Sequence, residues 1–426
     1  MLGTLMTLIV CAGFFALSQS WWRSYANPVS LGILAWTPAL AMLNWPPYFL
    51  SPLYIHLNRP LGINIYLAMG MGFLSFWAGC ALVKSLSPAH AFDVVDRDPK
   101  DISPLVSIIL FGVGFAVFLY SYYYSGLADL ANLDTQQVAE SQLNLHLGVL
   151  SFVTMFMDMA AIAMFVLFVR TGRITCLVIP ALTILCYVAT LQKSPVAWLA
   201  IAYGTVALVH PRASYHLLLG TPARRTLVVL FAVLLLVGFF AMNEARGLGE
   251  EQMTGASGPL MEQIYIYSGA SAIMNLSVTV DGYLPSDPML YGTYLARNVL
   301  WHVVDRDLFG ATRYFGGVNT GTYLLYGWAD FRWPGFVIAP FLTGAIVMAF
   351  IRFALSCRFL GIVFGAVAIR AVALSSATDV IFDPVTPIIL IIAAGFALAM
   401  RFALPAPAIH PSSQALAARP RRVYPS

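Results

Sequence analysis

Charge is what this chain of 426 residues has least of. Asp, Glu, Lys and Arg make up 10% of it, against about 25% in a soluble globular domain. With 60% hydrophobic residues there is too little polar surface to wrap a water-soluble fold, so a soluble globule is excluded and a polytopic membrane protein is what remains. The formal net charge of +4 is too small for a nucleic-acid surface. The basic residues stand at the ends of apolar runs, where they report orientation. Cysteine is scarce as well. Cys11, Cys80, Cys176, Cys186 and Cys357 lie in or beside apolar segments without a C-x-x-C pair, which excludes a disulfide framework and a zinc site. The N-terminus has no basic residue before its apolar stretch and no small-residue cleavage site, so that stretch reads as a retained span.

What the sequence has is long apolar runs. A spanning helix needs about 20 mostly apolar residues, and such runs cover 1–18, 29–46, 61–83, 103–124, 146–169, 174–191, 195–210, 226–243, 333–351, 359–376 and 384–403. The expected fold is therefore all-α, a polytopic transmembrane bundle of about eleven spans. Lys84, Arg97, Lys100, Arg170, Arg173, Arg212, Arg224, Arg225, Arg352 and Arg358 fall on alternate connections. Those connections read as cytoplasmic, which puts the N-terminus outside and the C-terminus inside. The chain divides into eight spans (1–242), an outer loop (243–332), three spans (333–403) and a disordered cytoplasmic tail (404–426).

The outer loop, about 90 residues long, is the informative segment, because loops of this length are functional or disordered. Stretches such as "MEQIYIYSGASAIMNLSVTV" and "YGTYLARNVLWHVV" are too apolar for disorder and read as short helices on or partly in the membrane surface. The triplet Asn275-Leu276-Ser277 matches a glycosylation acceptor but sits inside such a helical stretch, which argues against its use.

Several residues stand where membrane physics would not place them without a reason. The outer loop holds Arg246, Arg297, Arg306, Arg313 and Arg332, although outward loops are normally poor in arginine. One reading has several of them binding a diphosphate at the membrane surface, since guanidinium forks match phosphate oxygens. The other pairs them with neighbouring acids. Lys193 in "ATLQKSPVAW" is either part of that cationic set or a boundary lysine that snorkels. Asp158 and Arg370 fall mid-span, where charges face the bundle interior. They are expected either to pair with each other or to line a transport path. The triplets Asp96–Asp98 and Asp305–Asp307 are too short a match to carry a metal site, and none is expected. The polar segment "YFGGVNTGTYLLYGWADFRWPG" directly precedes a span. Its Asn319, Thr320 and Tyr323 are neutral hydrogen-bonding groups, and in its bland reading it is a re-entry turn in which Asp330 caps the helix starting near Trp333.

Taken together, "LQKSPVAW", "NEARG" around Glu244 and Arg246, and "NTGTYLLYGWADFRWPG" resemble the bacterial O-antigen polymerase, or oligosaccharide repeat unit polymerase, family, and more distantly the O-antigen ligases. The chain departs from that family at Arg332, where Gly is frequent, and at Lys193, where many relatives have Arg. The resemblance implies a GT-C-like membrane glycosyltransferase in the bacterial inner membrane with its active site facing the periplasm. Its donor would be an undecaprenyl-diphosphate-linked oligosaccharide and its acceptor a second lipid-linked repeat unit. It implies that Arg246, Arg313, Lys193 and Arg297 hold the donor diphosphate without a cofactor, that Asn319, Thr320 and Tyr323 meet sugar hydroxyls, and that Asp330, Glu244 or His302 takes the proton of the attacking hydroxyl. Besides the bilayer, a chain-length regulator and a flippase are the implied partners. A ligase and a polytopic transporter are the alternatives.

Overall fold

The computed structural model describes residues 27–43, 61–87, 102–127, 150–190, 192–210, 269–281, 322–356, 358–376, 380–383 and 385–403, with scattered positions in 9–19 and 220–226. All are helical or connecting. The helices are α1 (Pro28–Met42), α2 (Ile63–Ser85), α3 (Pro104–Tyr124), α4 (Leu150–Thr171), α5 (Val178–Ala189, preceded by a 3-10 turn Ile174–Leu177), α6 (Lys193–Val209), α7 (Ala270–Asp281), α8 (Tyr323–Phe331), α9 (Gly335–Ala354), α10 (Phe359–Ala373) and α11 (Val385–Ala403). Among the described residues, five stretches are long and apolar enough to cross a membrane: Ile63–Ser85, Pro104–Tyr124, Phe152–Thr171, Gly335–Ala354 and Val385–Phe402. The chain is a multi-pass membrane protein. Expected spans 226–243 and most of 1–18 lie outside the described residues.

Local chemistry sets the helix ends. Asn27 caps α1, its Oδ1 accepting the Ser30 amide at 2.6 Å, and Pro28 occupies the first turn, where its missing N–H costs nothing. Ser103 and Pro104 repeat the device at α3. Asp383 Oδ1 accepts the Val385 amide at 2.8 Å at the start of α11. Lys84, Arg170, Arg352 and Arg401 stand in the last turns of α2, α4, α9 and α11, the favourable end of each helix dipole for a cation.

The basic ends coincide in space. Cys80 donates to the Gly344 carbonyl at 3.3 Å and Arg352 donates to Ser87 at 3.0 Å, so α2 and α9 run parallel and finish together. Val209 packs on Ala354, which brings the C-terminus of α6 to the same place. There His210 lies 3.1 Å from the Arg170 guanidinium. Phe359 meets Phe396 at 5.2 Å and adds the end of α11. The parallel pair is close because Gly79 and Gly344 carry no side chain. A Cβ on Gly79 would strike the Phe341 carbonyl, and one on Gly344 the Phe76 carbonyl. Small residues drive such contacts where lipid removes the hydrophobic difference between faces.

Two of the six described helices too short for a full crossing, α8 and α1, shape the bundle interior. Helix α8 folds back on α9: Gly327 faces Gly335 and Ala339, Trp328 stacks on Phe336 at 5.2 Å, and the Arg332 amide bonds the Trp328 carbonyl at 2.9 Å. Its nine residues cover about 13 Å, and from Tyr323 to Asp330 every one is buried. The described part of that polar segment is thus a buried helix, not a simple re-entry turn, and its first residue lies inside the bundle. Helix α1 runs alongside α10, with Gly32 at Val372, Trp36 bonded to Ser375 and Ala35 to Ser376. Its cap, Asn27, therefore falls level with the middle of α10. At 15 residues α1 covers about 22 Å, short of the crossing expected over 29–46. Beside its first turn Ser30 bonds Ser18 at 2.6 Å and Gln19 at 2.8 Å, so the polar groups of this internal start are satisfied within the protein.

Candidate functional site

The foot of α8 opens on a cavity enclosed by α1, α2, α9 and α10. Its walls include Ile33, Trp36, Phe73, Phe76 and Tyr323, with the hydroxyls of Thr343 and Ser375. A water-sized sphere finds about 20 Å³ there, room for about one water molecule. Aromatic packing fixes the walls: Trp36 meets Tyr323 edge-on at 6.0 Å and Phe73 edge-on at 5.1 Å. Trp36 Nε1 donates to Ser375 Oγ at 2.9 Å, and Ser375 Oγ donates to the Val372 carbonyl at 2.8 Å. Thr343 is 4% exposed, and its hydroxyl oxygen has no hydrogen-bond partner among the described residues. The Thr322 hydroxyl, at the start of α8, is in the same state. A buried hydroxyl left this way is costly unless a ligand or water engages it.

Of the expected sugar-binding residues, Tyr323 lines this cavity, while Asn319 and Thr320 lie outside the described residues. So do Glu244, His302, Arg246, Arg297 and Arg313, as well as both D-x-D triplets. Lys193 opens α6; its side chain is also outside what is described.

Asp330 is fully buried in the last turn of α8. Seven residues from Tyr323, it lies about 10 Å further along the axis, at the hairpin end of the helix and away from the cavity. The first amides of the next helix are engaged by backbone carbonyls. The N-cap of α9 is Pro334, and the amides of Gly335, Phe336 and Val337 bond to the carbonyls of Arg332, Trp333 and Pro334. The turn caps itself with backbone.

Asp158 and Arg370 do not pair with each other. Asp158, 6% exposed, accepts a hydrogen bond from Tyr187 at 2.7 Å. Arg370 lies over the Trp198 ring at 5.8 Å and in the field of Asp383. Arg370 stands in the last turn of α10 rather than mid-span, and each charge is compensated locally, Asp158 by a hydroxyl on α5 and Arg370 by an indole face on α6 with a carboxylate at the start of α11. Asn275 is completely buried in α7, which removes it as a glycosylation acceptor.

Sequence reasoning missed Trp36, Thr343 and Ser375, single hydroxyl and indole groups inside apolar runs that carry no local signature. It also missed Gly327 and Gly335, although an eight-residue spacing on either side of "FRWP" is a signal for two helices in contact at a tight turn. Compared with family models, curated proteins and solved structures, the chain matches none.

Proposed function

We propose that the chain is a membrane glycosyltransferase that joins undecaprenyl-diphosphate-linked oligosaccharide repeat units into a surface polysaccharide. The observation that carries this reading is the internal start of α8. A polar segment suited to sugars leads into a helix that enters the bundle, beside a cavity walled by aromatic rings and carrying a buried, unengaged hydroxyl. Aromatic faces with sparse hydroxyls suit an amphiphilic ligand, and because the closed cavity has room for about one water, α8 has to move before such a ligand enters. A transporter relying on an Asp158–Arg370 pair loses its main support, since the two have separate partners.

In this account about eleven spans place the basic helix ends in the cytoplasm and the α8–α9 turn at the outer face. Arg246, Arg297, Arg313 and Lys193 hold the donor diphosphate, and their charge stabilises the lipid diphosphate as it leaves. Asn319, Thr320 and Tyr323 hold sugar. Asp330, Glu244 and His302 are the candidate bases. Asp330 is covered in this conformation, so its participation requires the α8–α9 hairpin to open.

The surface glycan of a deletion strain tests the reaction. A polymerase loss leaves a single repeat unit on the lipid core. No glycan on the core indicates a ligase, and an unchanged glycan contradicts both enzymatic readings.

A further inference from the structure

Asp158 is the acidic residue of the span Phe152–Thr171, about 9 Å in from its first residue. Its chain neighbours Met157 and Met159 are fully buried, and α3 closes over them, since a Cβ on Gly114 would touch Met157. A carboxylate in such a place is costly unless something balances its charge. The Tyr187 hydroxyl gives it one hydrogen bond, at 2.7 Å, and no charge. Among the described residues no cationic side chain acts on Asp158. Arg170, the basic residue of α4, stands twelve residues on, about 18 Å along the axis. Helices α3 and α5 carry none, and Lys193 of α6 is ten residues, about 15 Å, before Tyr203.

A second hydroxyl points to the same place. Helices α4 and α6 finish together at Arg170 and His210, so they run parallel. Tyr203 of α6 stacks on Phe165 of α4 at 4.3 Å. A helical side chain leans toward the start of its own helix, which carries the Tyr203 hydroxyl from Phe165 toward Asp158. Tyr203 and Tyr187 both lie in the electric field of Asp158. The Tyr203 hydroxyl is buried and has no hydrogen-bond partner among the described residues. The titratable groups that face Asp158 are therefore Tyr203 from α6 and Tyr187 from α5, with Cys186 beside the latter; α3 contributes the Phe118 ring, edge-on to Tyr187 at 6.3 Å. One carboxylate and two phenols, one of them unengaged, make an oxygen-lined site whose balance requires a single positive charge.

We propose that Asp158, Tyr187 and Tyr203 bind one monovalent cation inside the membrane, a proton or a sodium ion. A proton makes Asp158 a carboxylic acid, which keeps the Tyr187 bond on one oxygen and donates from the other toward Tyr203. A sodium ion takes the carboxylate and phenol oxygens as ligands. Either one neutralises the site and ties α4, α5 and α6 together. The site shares no helix with the walls of the cavity at the foot of α8, which come from α1, α2, α9 and α10, and it does not depend on the transferase reading.

The test is thermal unfolding of the full chain in detergent, with sodium chloride exchanged for choline chloride at constant ionic strength and over a range of pH, together with infrared spectra of the same samples. If the cation is sodium, sodium chloride raises the melting temperature of wild type and choline chloride does not. If it is a proton, sodium has no effect, the stability of wild type relative to Asp158→Asn falls as pH rises and the proton leaves, and the spectrum carries the C=O band of a protonated carboxyl group that Asp158→Asn lacks. Asp158→Asn is expected to remove either response, and Tyr203→Phe to weaken binding about tenfold. Because Tyr203→Phe deletes only an unengaged hydroxyl, it keeps the test decisive if Asp158→Asn does not fold. Wild type with neither a sodium response nor the carboxyl band, or a response that either variant leaves unchanged, overturns the proposal.

Discussion

Gly327 and Gly335 lie face to face, each occupying the place where the other's Cβ would have to go: a side chain on either would meet the other's carbonyl oxygen. This contact lets α8 lie flat along α9 and puts Tyr323 beside Thr343 in the cavity wall. Gly327→Val and Gly335→Ala are therefore expected to cost about 1–3 kcal/mol each by overpacking and to abolish activity with the protein still in the membrane. Denaturant unfolding of the purified variants checks the cost. Wild-type stability in both would mean that the helices do not pack this way.

The separate partners of Asp158 and Arg370 give a second prediction. Tyr187→Phe removes a donor from a buried carboxylate and is expected to cost about 1–3 kcal/mol, while Asp158→Asn, which can still accept from Tyr187, costs less. A double-mutant cycle between Asp158→Asn and Arg370→Gln should show coupling below about 0.5 kcal/mol, as for independent sites. Coupling of about 2 kcal/mol or more would restore the direct ion pair.

Asp330 separates two roles under one substitution. As a base it must take a proton, which an amide cannot do, so Asp330→Asn should fold normally and lose most turnover. Because the carboxylate is buried at the hairpin end and the backbone makes the α9 cap, stability should not depend on it as a cap. Near-normal turnover in Asp330→Asn would move the base to Glu244 or His302, tested beside it as Glu244→Gln and His302→Ala.

Nine of the expected spans coincide with described helices to within a few residues at most ends, because runs of apolar residues bounded by Pro, Ser, Asn and basic residues state their own limits, as Ser103-Pro104 and Lys84 do. The way α1 and α8 pack was not legible. Helix α1 is as apolar as a full span, and only its packing against Val372 and Ser375 shows how far in it starts. Helix α8 hid behind the polar residues on either side of it. Its fold-back depends on Gly327 meeting Gly335 across a turn, a contact between helices that helical periodicity does not encode. For the site, Tyr323 was singled out in the sequence and lies in the cavity wall. Thr343 was not, since one threonine in "APFLTGAIVMAF" gives no hint that its hydroxyl would lie buried in a cavity wall.

The proposed orientation rests on the gathering of Lys84, Arg170, Arg352 and Arg401 at one end of the bundle and on the excess of basic residues on the cytoplasmic side of membrane proteins. With an impermeant thiol reagent on intact spheroplasts, Ala139→Cys and Ala256→Cys should be labelled and Gly220→Cys should not. Labelling of Gly220→Cys would invert the orientation and with it the face assigned to the α8–α9 turn.

The central claim is that this chain itself transfers one lipid-linked oligosaccharide onto another. Purified chain, supplied only with an undecaprenyl-diphosphate-linked repeat unit, should lengthen it and release one undecaprenyl diphosphate for each repeat unit added. Arg246→Ala and Arg313→Ala should do neither. No longer product and no released undecaprenyl diphosphate, from chain that is folded and binds the substrate, would contradict the account.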